Sequence, residues 1–300
     1  MKDPKFGVDF LELDSERVRA LDKKISGLSM MSIEDRLFLN GLLRHFKPKH
    51  ILELGVANGG TTVQILDSLS DNPEARVCSV DIMYHRLSKS PPVDIGYLVD
   101  QVFPELPEDR WQLHLGRCLE QFADELPHKF DFVILDTAHT PPGEMLDFLS
   151  ILPYTADQCV FVVHDINLDV FHNLAGSPIY ASGVDCSGRL LMAAVKAEKI
   201  RLRGAGEMFS DEISQFLLKS SKTRSVPNIG AFRTNDDTGQ HENLEDIFNL
   251  LVTRWTRQFD YPNYRMILGH LRKHYPEYLV EIFELAYNYN RLLREKANGN

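Results

Sequence analysis

Five short apolar segments alternate with amphipathic stretches in the middle of the chain, and this alternation restricts the possible folds more than any other feature. The apolar segments are HILEL (50–54), RVCSVD (76–81), WQLHL (111–115), FDFVILD (130–136) and CVFVVHD (159–165). Each has the length of a strand and is apolar nearly throughout, as strands are when helices cover both faces of their sheet. Strands that alternate with helices are typical of βαβ units. The pattern therefore predicts an α/β fold with a parallel sheet.

The stretches between the strands predict crossover helices. They are GGTTVQILDSLS (59–70), DIGYLVDQVF (94–103), CLEQFADEL (118–126) and GEMLDFLSIL (143–152). Two later apolar segments, 199–203 and 228–234, follow a predicted helix over 187–197 and are expected to add edge strands. We therefore predict a doubly wound, Rossmann-like, mostly parallel seven-stranded sheet in the order 3-2-1-4-5-7-6, with helical additions at both ends of the chain.

The helical additions define the predicted domain organisation. Residues 1–48 form an N-terminal helical lid or flank, in which Ser32 and Asp35 resemble a helix-capping pair. Residues 49–235 form the main domain, and residues 236–300 form a helical extension with helices over 242–259, 264–275 and 277–296. The last helix carries Leu279, Ile282, Phe283, Ala286, Tyr289 and Leu293 on one face. That face must pack on the domain or on a second subunit, so a homo-oligomer through the terminal helices is one expectation.

Charge and hydropathy exclude two classes of partner. The 300-residue chain has a formal net charge of -10, whereas nucleic-acid binding needs clustered Lys and Arg. No window approaches 18 uncharged apolar residues, and the start, MKDPKFGVDFLELD, is acidic where a signal peptide would be apolar. We therefore expect no nucleic-acid partner, no membrane association and a cytoplasmic location.

A glycine-rich turn follows the first predicted strand in ILELGVANGGTT. Gly55, Gly59 and Gly60 allow a ligand to approach the backbone, and the helix start beyond them offers free N–H groups. The spacing is G-x-x-x-G-G rather than G-x-G-x-x-G, and Glu53 precedes the first glycine. These features favour a ligand with a cationic end over a dinucleotide pyrophosphate. A tight strand-to-helix turn without a ligand is the alternative.

Acidic and imidazole side chains follow the other strands. Asp81 ends the second strand, where related folds bind ribose hydroxyls, although an Asp there also caps the next segment. Asp136 and His139 follow the fourth strand, and His164 and Asp165 end the fifth. Because ligands bind where the strand order reverses, Asp136 should lie opposite Gly55. Two carboxylates and two imidazoles at one edge can bind a divalent ion and abstract a proton. Helix capping and a satisfied core histidine are the alternative.

Together these segments resemble the class I methyltransferases. ILELGVANGGTT, SVDI, LHLGRCLEQF, FDFVILDTAHTPP and FVVHDI are similar to the metal-dependent O-methyltransferase branch that includes macrolide-sugar methyltransferases and cephalosporin-hydroxylase-like proteins. The resemblance spans about residues 33–234. It implies S-adenosylmethionine as cofactor, a divalent metal such as Mg²⁺, and a small-molecule or glycan acceptor.

The resemblance also implies a set of site residues. For the cofactor they are Glu53, Gly55, Val56, Asn58, Gly59, Gly60, Asp81, Ile82, Gly116, Arg117 and Asp136. Asp136, Asp165 and His164 match metal positions, and His139 matches a proposed general base that acts with Asp136. His164 stands where some relatives have a third acidic ligand. Because imidazole suits softer ions better than Mg²⁺, this departure indicates a different metal or its loss.

The predicted reaction is in-line methyl transfer from the sulfonium to an acceptor hydroxyl, with a sugar hydroxyl favoured by the resemblance. His139 would remove the hydroxyl proton, and its ordinary pKa near 6.5 predicts a rate that rises through that pH. One alternative is a non-haem iron oxygenase that uses His139 and His164 with Asp136 or Asp165. Another is a catalytically inert nucleotide-binding or scaffold protein.

Overall fold

A seven-stranded sheet forms the centre of the protein in its computed structural model. The structure describes residues 5–25, 27–86, 92–126, 129–168, 186–200, 228–256 and 258–298. The strands are β1 (His50–Leu54), β2 (Arg76–Asp81), β3 (His85–Arg86), β4 (Val93–Asp94), β5 (Trp111–Leu115), β6 (Phe130–Leu135), β7 (Thr155–His164), β8 (Glu198–Ile200) and β9 (Ile229–Arg233). Of these, β3 and β4 form a separate two-stranded sheet.

The main sheet has the order β5-β2-β1-β6-β7-β9-β8. Counted without the small β3–β4 sheet, this is the predicted order 3-2-1-4-5-7-6. The five strands from β5 to β7 pair in parallel, and β9 runs antiparallel to both β7 and β8. The predicted α/β class and the mostly parallel sheet are therefore confirmed. Strands β1, β6 and β7 are apolar because both of their faces are buried.

Nine helices are described around the sheet within the ranges given above. They are α1 (Ser15–Ile25), α2 (Ile33–Phe46), α3 (Gly60–Ser68), α4 (Tyr97–Val102), α5 (Gly143–Ile151), α6 (Ser187–Ala194), α7 (His241–Leu250), α8 (Tyr261–His274) and α9 (Glu277–Asn298). Helix α2 begins with the predicted capping box, in which the Ser32 side chain accepts from the Asp35 N–H and the Asp35 carboxylate accepts from the Ser32 N–H.

Four segments differ from the sequence prediction. CLEQFADEL forms two short 3₁₀ turns, Leu119–Gln121 and Ala123–Glu125, because Phe122 between them has a non-helical φ of -147°. Strand β7 begins at Thr155 rather than 159. Helix α7 ends at Leu250 instead of continuing to 259. Of the predicted edge strand 199–203, residues 199 and 200 belong to β8, and 201–203 lie outside the described residues.

The early end of α7 has a tertiary cause. Beyond it, the Asn290 side chain of α9 accepts a hydrogen bond from the Trp255 N–H at 2.7 Å and donates one to the Thr253 carbonyl at 2.8 Å. Backbone N–H and C=O groups that bond to a side chain of another helix need no hydrogen-bond partner within a helix of their own. The described residues beyond Leu250, 251–256 and 258–259, therefore form a loop in the folded protein.

The helices pack in two hydrophobic cores, one on each side of the sheet. Helices α1 to α4 cover one face, where Phe38, Leu42 and Ile51 are buried. Helices α5 to α9 cover the other, where Phe148, Phe161 and Phe283 belong to one continuous cluster. The C-terminal helices thus share a core with the sheet, and the boundaries predicted near residues 48 and 235 stay predictions. Among the described residues no helix is long and apolar enough to cross a membrane.

Candidate active site

The carboxyl ends of β1, β2, β6 and β7 form one continuous edge of the sheet. The loop after β1, residues 55–60 (here the glycine loop), joins this strand to α3. Gly55 has a φ of +89°, and a Cβ added there would lie 1.9 Å from the Asp136 carbonyl oxygen. The loop after β1 therefore contacts the loop after β6 directly, as the strand order predicts. No side chain other than hydrogen fits at position 55.

Asp81 holds the glycine loop in shape. One oxygen of its carboxylate accepts hydrogen bonds from the Val56 and Ala57 N–H groups at 3.1 Å each, and the other accepts from Met83 N–H at 2.9 Å. Asn58 fixes the far end of the loop by donating to the Leu28 carbonyl at 2.9 Å. Asp81, which was predicted to bind ribose, thus already accepts hydrogen bonds from the backbone of the protein. Its role in cofactor binding stays a prediction.

Other glycines of the loop are required by packing. Gly59 has a φ of +88°, and an added Cβ would lie 2.9 Å from the Gly96 Cα. At Gly60 an added Cβ would lie 2.9 Å from Ser29, in the segment that precedes α2. The tight-turn explanation therefore accounts for these two glycines without a ligand. Ser29 and Leu28 of the N-terminal region thus contact the glycine loop, and the role of this region as a lid or flank stays a prediction.

Glu53 lies beneath the glycine loop and is fully buried. One oxygen of its carboxylate accepts hydrogen bonds from the hydroxyls of Thr62, at 2.7 Å, and Ser79, at 2.6 Å. The other oxygen is buried and has no hydrogen-bond partner among the described residues. Burial raises the pKa of Glu53 to about 7, against the two hydroxyl hydrogen bonds that lower it. Glu53 is therefore a buried acid poised to titrate near neutral pH.

The remaining predicted cofactor residues continue along the edge toward β5. Ile82 is largely exposed. Gly116 has a φ of +68°, and its Cα lies against Tyr84, because an added Cβ would be 2.2 Å from the Tyr84 hydroxyl. The Arg117 guanidinium lies over the Phe122 ring at 4.9 Å and donates to the Gln121 carbonyl at 3.1 Å. These residues lie at the β5 end of the edge, and their role in cofactor binding stays a prediction.

At the other end of the edge lie three side chains, Asp136, His139 and Asp165, which we call the acid–histidine cluster. One ligand atom from each lies within 4.8 Å of the other two. The His139 Nε2 atom is 3.2 Å from Asp165 Oδ2 and 3.8 Å from Asp136 Oδ1. The sequence predicted that all three would converge, and the structure brings them together.

His164 lies between two carboxylates, those of Asp35 and Asp136. It is buried, its Nδ1 lies 3.2 Å from Asp136 Oδ1, and its Nε2 lies 3.7 Å from Asp35 Oδ2 on α2. His164 is not a member of the group of three above. It links the start of α2 to Asp136, and its predicted part in metal binding remains untested.

Glu144, which lies behind His139, was not among the predicted site residues. Glu144 is fully buried in the first turn of α5, and its Oε1 accepts from the His139 N–H and lies 2.9 Å from His139 Nδ1. Its other oxygen accepts a hydrogen bond from the Ser187 hydroxyl at the start of α6. The only sequence signal was an acidic residue in a first helical turn, which is ordinary for a helix. Only the loop conformation directs Glu144 to His139.

Two further missed side chains contact Asp165 and His164. The Asn228 amide donates to Asp165, and its carbonyl oxygen accepts from the Asn167 N–H at 3.0 Å. Asp35 faces His164 from α2. Asn228 is 63 residues from Asp165 in the chain, and neither residue has a motif that could have indicated a site.

The charges of the cluster are strongly coupled. Burial would lower the pKa of His139, but the hydrogen bond and charge of Glu144, together with Asp136 and Asp165, raise it to about 9. Burial would raise the pKa of Asp136, but the charge and hydrogen bond of His164 and the charge of His139 lower it. At neutral pH His139 is therefore protonated. A rate that rises near pH 6.5, expected from an unperturbed histidine, is not what this environment predicts.

One family model and several solved structures resemble this chain. Residues 52–166 match a family described as a methyltransferase domain. No curated protein matches the chain. Solved structures that resemble it include a putative O-methyltransferase from Klebsiella pneumoniae, with 15% identity over 78% of this chain and 91% of that chain and a TM-score of 0.43. Another is an O-methyltransferase from Bacillus cereus in complex with SAH, with 17% identity over 74% and 90% of the two chains and a TM-score of 0.43.

A third similar structure is MycE methyltransferase from the mycinamycin biosynthetic pathway in complex with Mg, SAH and mycinamycin VI. It has 18% identity over 77% of this chain and 56% of that chain, with a TM-score of 0.41. These likenesses are too distant to assign a substrate. The family match spans β1 to the residue after Asp165 and thus includes the glycine loop and the acid–histidine cluster. Residues 52–166 of this chain thus resemble a methyltransferase domain.

Proposed function

We propose that the protein uses S-adenosylmethionine to methylate a hydroxyl group of a small molecule, with a sugar hydroxyl as the favoured acceptor. The observation that carries this proposal is the direct contact between the two ends of the site. Gly55 of the glycine loop touches the Asp136 backbone, and Asp136 belongs to the acid–histidine cluster. A donor on the glycine loop and an acceptor at the cluster would be neighbours, which in-line transfer requires.

The cofactor end is proposed to lie along the glycine loop between β1 and β5. Glu53, Asp81 and Asp136 are acidic residues at this edge, and their carboxylates, when ionised, would attract a sulfonium cation. The loop offers the start of α3, whose first N–H groups have no partner within the helix. Both features suit S-adenosylmethionine, which carries a cationic centre and hydrogen-bonding groups.

His139 is proposed to accept the proton of the acceptor hydroxyl. Glu144 engages its Nδ1, so Nε2 is the nitrogen that faces the two carboxylates and the open edge. The buried Glu144 fixes the orientation of the ring, as a carboxylate does for a catalytic histidine in many enzymes. His139 is a base only after it loses the proton that its neighbours hold.

The cluster fits a divalent metal ion. Asp136 and Asp165 offer the carboxylate oxygens that Mg²⁺ prefers, and the third group within reach is an imidazole, which suits softer ions such as Zn²⁺. We propose that Asp136 and Asp165 hold the ion. When bound, such an ion would oppose the negative charge that keeps His139 protonated and would lower the pKa of an acceptor hydroxyl.

The two alternatives from the sequence have less support. A non-haem iron oxygenase needs two histidines and one carboxylate, whereas the cluster has one histidine and two carboxylates. An inert scaffold would not need a buried Glu144 aligned behind His139. Neither alternative explains the methyltransferase-domain match.

Calorimetry with S-adenosylmethionine and its demethylated product tests the cofactor. We expect both to bind, and failure of both to bind the folded protein would overturn the proposal. Activity on a panel of sugar and phenolic hydroxyls, before and after chelation and with Mg²⁺, Mn²⁺ or Zn²⁺ added back, tests the metal. Full activity in the chelated enzyme would remove the metal from the proposal and leave the methyl transfer intact.

A further inference from the structure

Asp35 is an acidic residue in the first turn of α2 that is only 3% exposed. Its carboxylate completes the capping box with Ser32, but a capping box does not require its acid to be buried. Removing a carboxylate from water costs free energy unless polar groups contact it. Besides Ser32, the Asp35 carboxylate faces His164, whose Nε2 lies 3.7 Å from Asp35 Oδ2. The burial of Asp35 therefore directs attention to what His164 does.

Both ring nitrogens of His164 face carboxylates. The Nδ1 atom lies 3.2 Å from Asp136 Oδ1 and 3.6 Å from Asp165 Oδ1. Because an ionised carboxylate can only accept a hydrogen bond, Nδ1 is the donor to Asp136. The Nε2 atom is buried and has no hydrogen-bond partner among the described residues, so the group that it faces is the Asp35 carboxylate. Neither nitrogen of His164 is therefore open to an ion at the acid–histidine cluster.

The carboxylates of Asp136 and Asp165 need a group that holds them in place. Each has an oxygen within 3.8 Å of His139 Nε2, so two negative charges share one small site. Like charges this close repel each other, and the repulsion opposes a convergent arrangement of the two carboxylates. His164 contacts Oδ1 of both. Hydrogen bonds of this kind, behind the groups that bind a metal, fix the orientation of metal-binding carboxylates.

We propose that Asp35 and His164 are positioning residues of the metal site, in which Asp35 fixes the His164 ring and His164 holds Asp136 toward Asp165. The inference rests on the proposed function, because it requires that Asp136 and Asp165 hold an ion. It gives His164 a place behind the metal-binding residues rather than on the ion. The departure from relatives with a third acidic ligand then changes the support of the site rather than removing the metal.

Asp35 is itself held by contacts outside the acid–histidine cluster. The Ser32 hydroxyl donates to Asp35 Oδ2 at 2.7 Å, and the Ser32 N–H donates to the same oxygen at 3.3 Å. Just before α2, Ser29 lies against Gly60 of the glycine loop. One short region of the chain thus contacts the glycine loop and also faces His164. The N-terminal helices therefore contribute to the geometry of the proposed metal site.

Calorimetric titration of the full chain with Mn²⁺ tests the inference by a measurement other than activity. We expect Asp35→Asn and His164→Ala each to weaken Mn²⁺ binding by about 10–100-fold, with the affinity for S-adenosylmethionine little changed. Glu34→Gln is the matched control, because Glu34 is an exposed acid in the same turn of α2, and it should bind Mn²⁺ as the wild type does. Wild-type Mn²⁺ affinity in Asp35→Asn would overturn the inference.

The double variant Asp35→Asn/His164→Ala tests whether the two residues act in series. If Asp35 acts through His164, the double variant should bind Mn²⁺ as weakly as His164→Ala alone. Losses that multiply would show that Asp35 acts independently of His164 and would overturn the inference. Circular dichroism checks that each variant is folded. If Asp35→Asn does not fold, His164→Ala and the spectroscopic test below decide the role of His164.

A spectroscopic test separates a positioning role of His164 from a ligand role. Pulsed electron-spin-echo spectra of bound Mn²⁺ detect the nitrogen of a coordinated imidazole. In His139→Ala, the other imidazole of the site is His164, and we expect no nitrogen coupling. Coupling in this variant would place His164 on the ion and overturn the inference. A wild-type protein that binds S-adenosylmethionine but no Mn²⁺ would also overturn it, and the proposed methyl transfer would stand.

Discussion

The two ends of the site are built in different ways. At the glycine loop, backbone conformation and close packing determine the structure, with Gly55 and Gly59 at positive φ and Asp81 bonded to backbone N–H groups. At the acid–histidine cluster, charged side chains from separate elements hold one another, with Glu144, His139 and Asp165 in contact. We therefore expect substitutions in the glycine loop to lower the free energy of unfolding. Substitutions in the acid–histidine cluster should instead lower kcat.

The largest effect is expected at Gly55. Gly55→Ala would place a Cβ 1.9 Å from the Asp136 carbonyl oxygen in a left-handed backbone conformation. Strain and overpacking together should lower the free energy of unfolding by at least about 3 kcal/mol. Denaturant unfolding measures this change. Gly239→Ala is the control, because nothing lies within 4 Å of an added Cβ there. Equal stability of the two variants would show that the close approach at Gly55 does not constrain the fold.

At the opposite end, His139→Ala should leave the fold intact and reduce kcat. Loss of a positioned base should lower kcat by about 10²–10⁴-fold, with the affinity for S-adenosylmethionine little changed. Steady-state kinetics and calorimetry measure the two quantities separately. The exposed His241→Ala is the control. Normal kcat in His139→Ala would show that this residue takes no part in the reaction. The expected difference between the two ends of the site would then be wrong.

Glu53 offers a pH test of the glycine-loop end. Its folded-state pKa of about 7 lies above the ordinary 4.5, so the folded protein favours the protonated acid. The free energy of unfolding should therefore fall as pH rises from about 4.5 to 7 and then level off, by about 3 kcal/mol in all. Glu53→Gln resembles the protonated acid and should lack this decrease.

The comparison is made by chemical unfolding of the wild type and Glu53→Gln across this pH range. Below about pH 4.5 the two proteins should have similar stability, and above pH 7 the variant should be the more stable one. The exposed Glu242→Gln should behave as the wild type does. If the wild type and Glu53→Gln show the same pH dependence, Glu53 is ionised in the folded protein at neutral pH.

The smallest effect is expected at Glu144, which positions His139. Glu144→Gln keeps the shape of the side chain but removes its charge, so kcat should fall by about 10–100-fold. Because the Glu144 charge raises the pKa of His139, the acidic limb of the rate profile should also move to lower pH. A kcat loss without any movement of the pH profile would indicate a structural role alone. Exposed Glu245→Gln is the matched control.

Much of the fold could be predicted from the chain because its signals are local. Five strands were visible as apolar segments, and the order 3-2-1-4-5 among them follows from the general behaviour of βαβ units in doubly wound sheets. Asp136, His139 and Asp165 were predicted to converge because carboxyl ends of parallel strands share one edge. The errors were local too: CLEQFADEL and residues 251–259 have helical periodicity, but Phe122 and the contacts of Asn290 end the helices.

The sequence by itself determined the α/β class, the strand order and the positions of the residues at the sheet edge, because period, strand length and turn chemistry are properties of adjacent residues. Only the tertiary structure decided which groups meet across the chain. It placed Glu144 behind His139, Asp35 against His164 and Asn228 against Asp165. These contacts depend on how distant elements pack together. Residues that are far apart in the chain leave no local sequence pattern that would reveal such a contact.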